Sequence, residues 1–231
     1  MRKSALIVAH GQPSDPAPAE ADLAALTDLV ARHLPGWQIG SATLAAEGRL
    51  EDALARLDQP LILPFFMADG WFTKVNLPKR LTAAGLAAPR ILPPFGLMDA
   101  LPALLREALD QALMTRDWRV EDTALLLAAH GSGRSRAPAA AANRLAAAIG
   151  SSRPFADLRL GFIEETPRLA EAARGMGPKS LCLPLFVARW GHVETDIPAA
   201  LTEAGFGGDC LDPIGLWPTV PALLAEALRR A

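Results

Sequence analysis

The sequence predicts an α/β protein of two similar lobes, each a parallel sheet flanked by helices. Three observations carry that expectation. First, the chain repeats itself. LIVAHG (Leu6 to Gly11) returns as LLAAHG (Leu126 to Gly131), and LILPFFMADGWFTKVNLPKRL (Leu61 to Leu81) returns as LCLPLFVARWGHVETDIPAAL (Leu181 to Leu201), both displaced by 120 residues. A third pair, FGLMDALPALL from Phe95 and IGLWPTVPALL from Ile214, is displaced by 119. A repeat of this length is a small domain, not a solenoid unit. Second, runs such as LILPFF and LLLAA are continuously apolar, as strands buried on both faces are. Third, these runs alternate with longer segments of helical spacing, the pattern of a sheet covered by helices.

In the first half the predicted strands are Ala5–Ala9, Gln38–Thr43, Leu61–Met67 and Arg90–Leu92. The second half offers Ala124–Ala129, Leu158–Ile163, Ser180–Val187 and a short Cys210–Leu211. A helix over roughly Glu20–His33 rests on Leu23, Leu26 and Val30, and the alanine-rich Ala137–Ile149 is a strong helix former. Leu101, Leu104, Leu105, Ala108, Leu109, Ala112 and Leu113 make one apolar helical face, which Val220, Leu223, Leu224, Ala227 and Leu228 repeat. Both of these helices carry a proline in the first turn, Pro102 and Pro221, where its missing N–H costs nothing. Pro13–Pro18 reads as a loop. The charged stretch Thr115–Asp122 reads as the linker, so the expected domains are residues 1–117 and 118–231.

Bulk properties narrow the function. A net charge of −2 argues against a nucleic-acid partner, whose binding would rest on excess Lys and Arg. Two cysteines, Cys182 and Cys210, form no disulfide framework, and Cys182 reads as a buried small hydrophobe. The apolar stretch after the basic start ends at His10, too short for a signal peptide, and no run reaches the roughly 20 apolar residues of a membrane span. A cytoplasmic protein without a membrane partner is expected.

Ligands of open parallel sheets bind at the carboxyl ends of the strands. His130 ends one predicted strand and opens a Gly-Ser-Gly loop, His192 follows another, and Glu164 and Glu165 follow a third. Two imidazoles and a carboxylate from three strand ends can grip a first-row divalent ion or move protons. HExxH, CxxC and GxGxxG runs are lacking, so no nucleotide cofactor is expected. VAHGQ resembles the RHG motif of histidine phosphatases, but that motif needs an Arg before the His, and here Ala9 or Ala129 stands there.

LLLAAHGSGRS with the downstream Asn143, then GFIEETP, then LPLFVARWGHVETDIPAAL, resembles the sirohydrochlorin cobaltochelatase/ferrochelatase family, the class II tetrapyrrole chelatases, in tandem-repeat form. The likeness covers both halves and is strongest over Leu125–Leu201. It implies the bilobal chelatase fold, two flavodoxin-like lobes. It also implies ATP-independent insertion of Co²⁺ or Fe²⁺, with Ni²⁺ also open, into a tetrapyrrole such as sirohydrochlorin, in cobalamin or siroheme biosynthesis. His130, His192 and Glu164 are then the metal and catalytic residues, with Glu165 the alternative carboxylate. Substrate carboxylates would be met by Ser132, Arg134 and Arg189, with Arg136 nearby. The chain would act as a monomer or homodimer. In the first half His10 remains, Phe72 replaces the second histidine, and apolar residues near Leu44–Ala46 replace the carboxylate, so that site is degenerate and the role of His10 stays open. Trp71, Phe72 and Phe66 there could pack against a flat macrocycle. A carrier that binds tetrapyrrole or metal without turnover is the alternative reading.

Overall fold

A computed structural model of the chain describes residues 3–231. It contains two four-stranded parallel sheets. The first is made of β1 (Ser4–Ala9), β2 (Gln38–Thr43), β3 (Leu61–Pro64) and β4 (Arg90–Ile91), in the order β2-β1-β3-β4. The second contains β5 (Ala124–Ala129), β6 (Asp157–Phe162), β7 (Ser180–Pro184) and β8 (Asp209–Cys210), in the matching order β6-β5-β7-β8. The central strands are the continuously apolar ones, and every residue of β1 is buried. In each sheet the strand order reverses beside the first strand, which creates the switch point where α/β proteins place ligands.

The chain is helical over α1 (Pro16–Arg32), α2 (Arg49–Ala55), α3 (Leu77–Ala83), α4 (Leu101–Arg116), α5 (Ala137–Gly150), α6 (Leu169–Ala173), α7 (Asp196–Ala204) and α8 (Val220–Arg230). In the first lobe Leu6, Val8 and Ile62 of the sheet pack against Leu50 and Leu54 of α2 and Leu77 and Leu81 of α3. The second lobe repeats the arrangement with Leu126, Ala128 and Cys182 against Leu169 and Ala173 of α6 and Ile197 of α7. The recurring FGL and IGL turns share a physical reason. A Cβ on Gly96 would lie 1.9 Å from the Met67 carbonyl oxygen, and one on Gly215 would lie 2.0 Å from that of Val187.

Several boundaries differ from the sequence expectation. α1 begins at Pro16 inside the expected proline-rich loop, because a proline is tolerated in the first turn of a helix. α4 runs through Arg116, into the expected linker, and Asp117 ends it in the left-handed conformation. The apolar runs of β3 and β7 outlast their strands. Phe65 continues the run by packing against Phe95, with ring centroids 5.0 Å apart.

The compact units also depart from the repeat boundary at 117/118. One unit runs through Met98 and takes up Pro218–Ala231; the other is Asp99–Trp217. Each unit therefore carries the last helix of the other repeat: α8 packs on α1, and α4 packs on α5. Apolar periodicity shows that a helix has a buried face but not which sheet buries it. Among the described residues no helix is long and apolar enough to cross a membrane.

Candidate metal centre of the second lobe

His130 follows β5, Glu164 lies two residues past β6, and His192 lies in the connection between β7 and α7. The sheet ladder continues past the strand ends and sets two of these positions. Ile163 N–H donates to the Ala129 carbonyl at 3.0 Å and Glu164 N–H to the His130 carbonyl at 2.9 Å. Gly131 makes the turn out of β5 with φ +70°. A Cβ there would lie 2.7 Å from Cγ of Glu165, so the Glu165 side chain occupies the space that a side chain at 131 would need.

One ligand atom from each of His130, Glu164 and His192 lies within 4.8 Å of the others. Nδ1 of His130 is 3.8 Å from Glu164 Oε2, and the two imidazoles meet edge to face with centroids 4.6 Å apart. Glu165, the alternative carboxylate, does not join them. Its Oε1 is buried and lacks a hydrogen-bond partner.

The tautomers follow from the oxygens around the rings. His130 Nδ1 sits 2.9 Å from the Gly131 carbonyl oxygen, and His192 Nδ1 sits 2.6 Å from Oδ2 of Asp196. An oxygen acceptor at each Nδ1 places the proton there, which leaves a lone pair on each Nε2. Those two Nε2 atoms face one another at 3.1 Å. Two lone pairs at that distance repel unless a positive charge lies between them. A divalent ion would supply that charge, and His130 and His192 could each offer it one nitrogen.

Asp196 is the residue that sequence reading did not single out. The signal was present as the polar step from His192 to the DIP turn: a 3-10 turn over Gly191–Val193 leads into α7, whose first residue, Asp196, meets the His192 ring. Asp196 also lines a cavity of about 400 Å³ with Ile163, Arg168, Glu171, Arg174 and Glu203. Of the expected substrate-binding residues, Ser132 Oγ accepts the Arg134 N–H at 3.1 Å, and the Arg134 and Arg136 side chains are exposed. Arg189 forms an ion pair with Asp212.

The first lobe keeps the scaffold, and among its described residues there is no counterpart of the His130–Glu164–His192 cluster. Leu44 N–H donates to the Ala9 carbonyl and Ala45 N–H to the His10 carbonyl, both at 2.9 Å, so Ala45 is the counterpart of Glu164. Phe72 stands in for His192, with its ring centroid 4.3 Å from that of His10. Asn76 stands in for Asp196. The ring pair survives as a packing contact, extended by Trp71 at 5.1 Å from Phe72 and by Phe66 at 6.5 Å. Trp71 is 58% exposed and Phe72 39%, so this cluster remains at the surface.

Comparison with known proteins gives a consistent picture. The CbiX family profile matches residues 4–112 and again 124–231. A structure described as CbiX, the terminal enzyme for biosynthesis of siroheme in denitrifying bacteria, is 50% identical over all of this chain and 99% of its own, with a TM-score of 0.92. SirB from Bacillus subtilis with Fe³⁺ shares the fold at 15% identity, covering all of this chain and 95% of SirB, with a TM-score of 0.75. DR2241 from Deinococcus radiodurans, described as a multi-domain protein similar to chelatases, matches at 20% identity and a TM-score of 0.71. All of this chain is covered there, and 54% of DR2241. No curated protein sequence matches.

Proposed function

Because the chain belongs to the CbiX family, we propose that it is a metal chelatase that inserts Fe²⁺, without ATP, into sirohydrochlorin. The observation that carries this reading is the pair of Nε2 atoms 3.1 Å apart beside a carboxylate, the one such cluster among the described residues. His130, His192 and Glu164 hold the incoming ion. The choice of Fe²⁺ over Co²⁺ rests on the siroheme role of the half-identical relative.

A chelatase must hold its metal and then release it. Three protein ligands leave the remaining coordination positions to water or to ring nitrogens, and all three side chains are between 40% and 49% exposed. Ligand atoms of one ion at about 2.1 Å stand at most about 4.2 Å apart. One ligand atom from each of the three residues lies within 4.8 Å of the others, so small side-chain movements bring all three onto one ion. The ring N–H protons depart as the metal enters, and imidazole and carboxylate accept them. Asp196 accepts the His192 Nδ1 proton in a hydrogen bond and balances the positive charge that the ring gains when its Nε2 takes up a proton. Arg134 and Arg136 are the cations available to the carboxylates of the tetrapyrrole.

The test is anaerobic incubation with sirohydrochlorin and Fe²⁺, Co²⁺ or Ni²⁺ in turn, followed by absorbance. The expected result is insertion faster than the uncatalysed background, fastest with Fe²⁺. Tetrapyrrole binding without acceleration by any metal would make the chain a carrier instead.

A further inference from the structure

Cys182 lies on the buried central strand β7 and Cys210 on the two-residue edge strand β8, and the two are direct register partners. Leu211 N–H donates to the Cys182 carbonyl at 2.8 Å, which fixes that register. Register partners point their side chains to the same face of a sheet. Neighbouring strands stand about 4.8 Å apart, inside the roughly 4.4–6.8 Å Cα separation that a disulfide spans. The first lobe provides an internal comparison: the equivalent register partners are Ile62 and Ile91. Both positions of the pair thus differ together between the lobes, and in the second lobe both are thiols.

The two sulfurs are not equivalent. Cys182 is fully buried, whereas Cys210 is exposed. Cys210 Sγ lies 3.7 Å from the Leu211 carbonyl oxygen. The neighbouring Cys210 sulfur and burial push the Cys182 thiol up, whereas Cys182, helped by the Arg189 guanidinium, draws the Cys210 thiol below its usual range. An exposed attacking thiol beside a sheltered resolving one is the arrangement of a reactive dithiol.

We propose that Cys182 and Cys210 form a redox-reactive dithiol that closes to an intramolecular disulfide on reaction with low-molecular-weight disulfides. The Cys210 thiolate attacks one sulfur of the small disulfide, forms a mixed disulfide and expels one small thiolate. That thiolate takes the Cys182 proton. The Cys182 sulfur then attacks the Cys210 sulfur and expels the second small thiolate. Two protein thiols are oxidised to one disulfide, and one small disulfide is reduced to two thiols.

The experiment incubates the whole reduced chain with oxidised glutathione, quenches in acid, alkylates the remaining thiols and reads intact and peptide masses. The expected result is loss of both alkylatable thiols, no glutathione adduct, and a cross-link joining the two cysteine-containing peptides. Cys182→Ala is expected to stop at a glutathione adduct on Cys210, and Cys210→Ala to leave Cys182 unmodified in the folded protein. Wild-type protein that keeps both thiols, or that stops at the mixed disulfide, overturns the proposal whether or not the variants fold.

Discussion

Removing the Asp196 carboxylate tests how the metal centre is held. Its Oδ2 lies 2.6 Å from His192 Nδ1, a charge-assisted contact that keeps the proton on Nδ1 and aims the Nε2 lone pair at His130. Hydrogen bonds to charged groups contribute about 1.5–3 kcal/mol. Asp196 is 48% exposed, so solvent screening argues for the lower end, about 1.5 kcal/mol. Roughly 1.4 kcal/mol is a factor of ten in affinity, so Asp196→Ala should weaken metal binding about tenfold. That lies at the low end of the 10–100-fold typical of groups that orient a metal-binding histidine. The assay is calorimetric titration with Co²⁺ or anaerobic Fe²⁺, with thermal melting as a control. A melting temperature lowered by no more than about 4 °C, the cost of losing an acid in the first turn of α7, is expected together with the weaker Kd. An unchanged Kd would show that Asp196 does not set the imidazole, and the tautomer argument would fall.

Glu164→Gln should slow insertion and weaken metal binding, whereas Glu165→Gln should leave the metal Kd unchanged; equal losses in both would refute the assignment of the carboxylate. Gly131→Ala should destabilise the protein by about 1–3 kcal/mol, because alanine is strained at φ +70° and its Cβ would meet Glu165. At this chain length that is a fall in Tm of very roughly 2–12 °C by scanning calorimetry, and an unchanged Tm would contradict the close packing. A chain ending at residue 217 should lose the first lobe's native hydrogen-exchange protection, since α8 buries Val220, Leu224 and Leu228 in that unit. Retained protection would show that α8 is dispensable there.

Most of the fold was legible because the duplication reads the same signals twice. β2 and β5 fall where their patterns place them, and the remaining strands differ by a few residues at their ends. The short helices α2, α3, α6 and α7, five to nine residues each, give too few turns for a helical period to stand out. The exchange of α4 and α8 leaves no local trace, since a helix buries the same apolar face whichever sheet receives it. At the site, His130 and His192 were legible as strand-end histidines, and adjacent Glu164 and Glu165 were separable only by geometry. Asp196 was hidden because an acid in the first turn of a helix reads as a favourable charge on the helix dipole. The companion at Ala45 was uncertain in sequence because the repeat slips from 120 to 119 across β2; its N–H bond to His10 settles the match.

The central claim is that one lobe carries the chemistry while its copy keeps only the scaffold. The most direct measurement is the metal-insertion rate of His130→Ala, His192→Ala and His10→Ala, compared under one set of anaerobic conditions with folding checked by circular dichroism. His130→Ala and His192→Ala should each lose most of the activity, and His10→Ala should stay close to the unmodified chain, because the ring beside it is Phe72 and the residue bonded to it two positions past β2 is Ala45. A His10→Ala variant as damaged as the other two, with its fold intact, would contradict the claim.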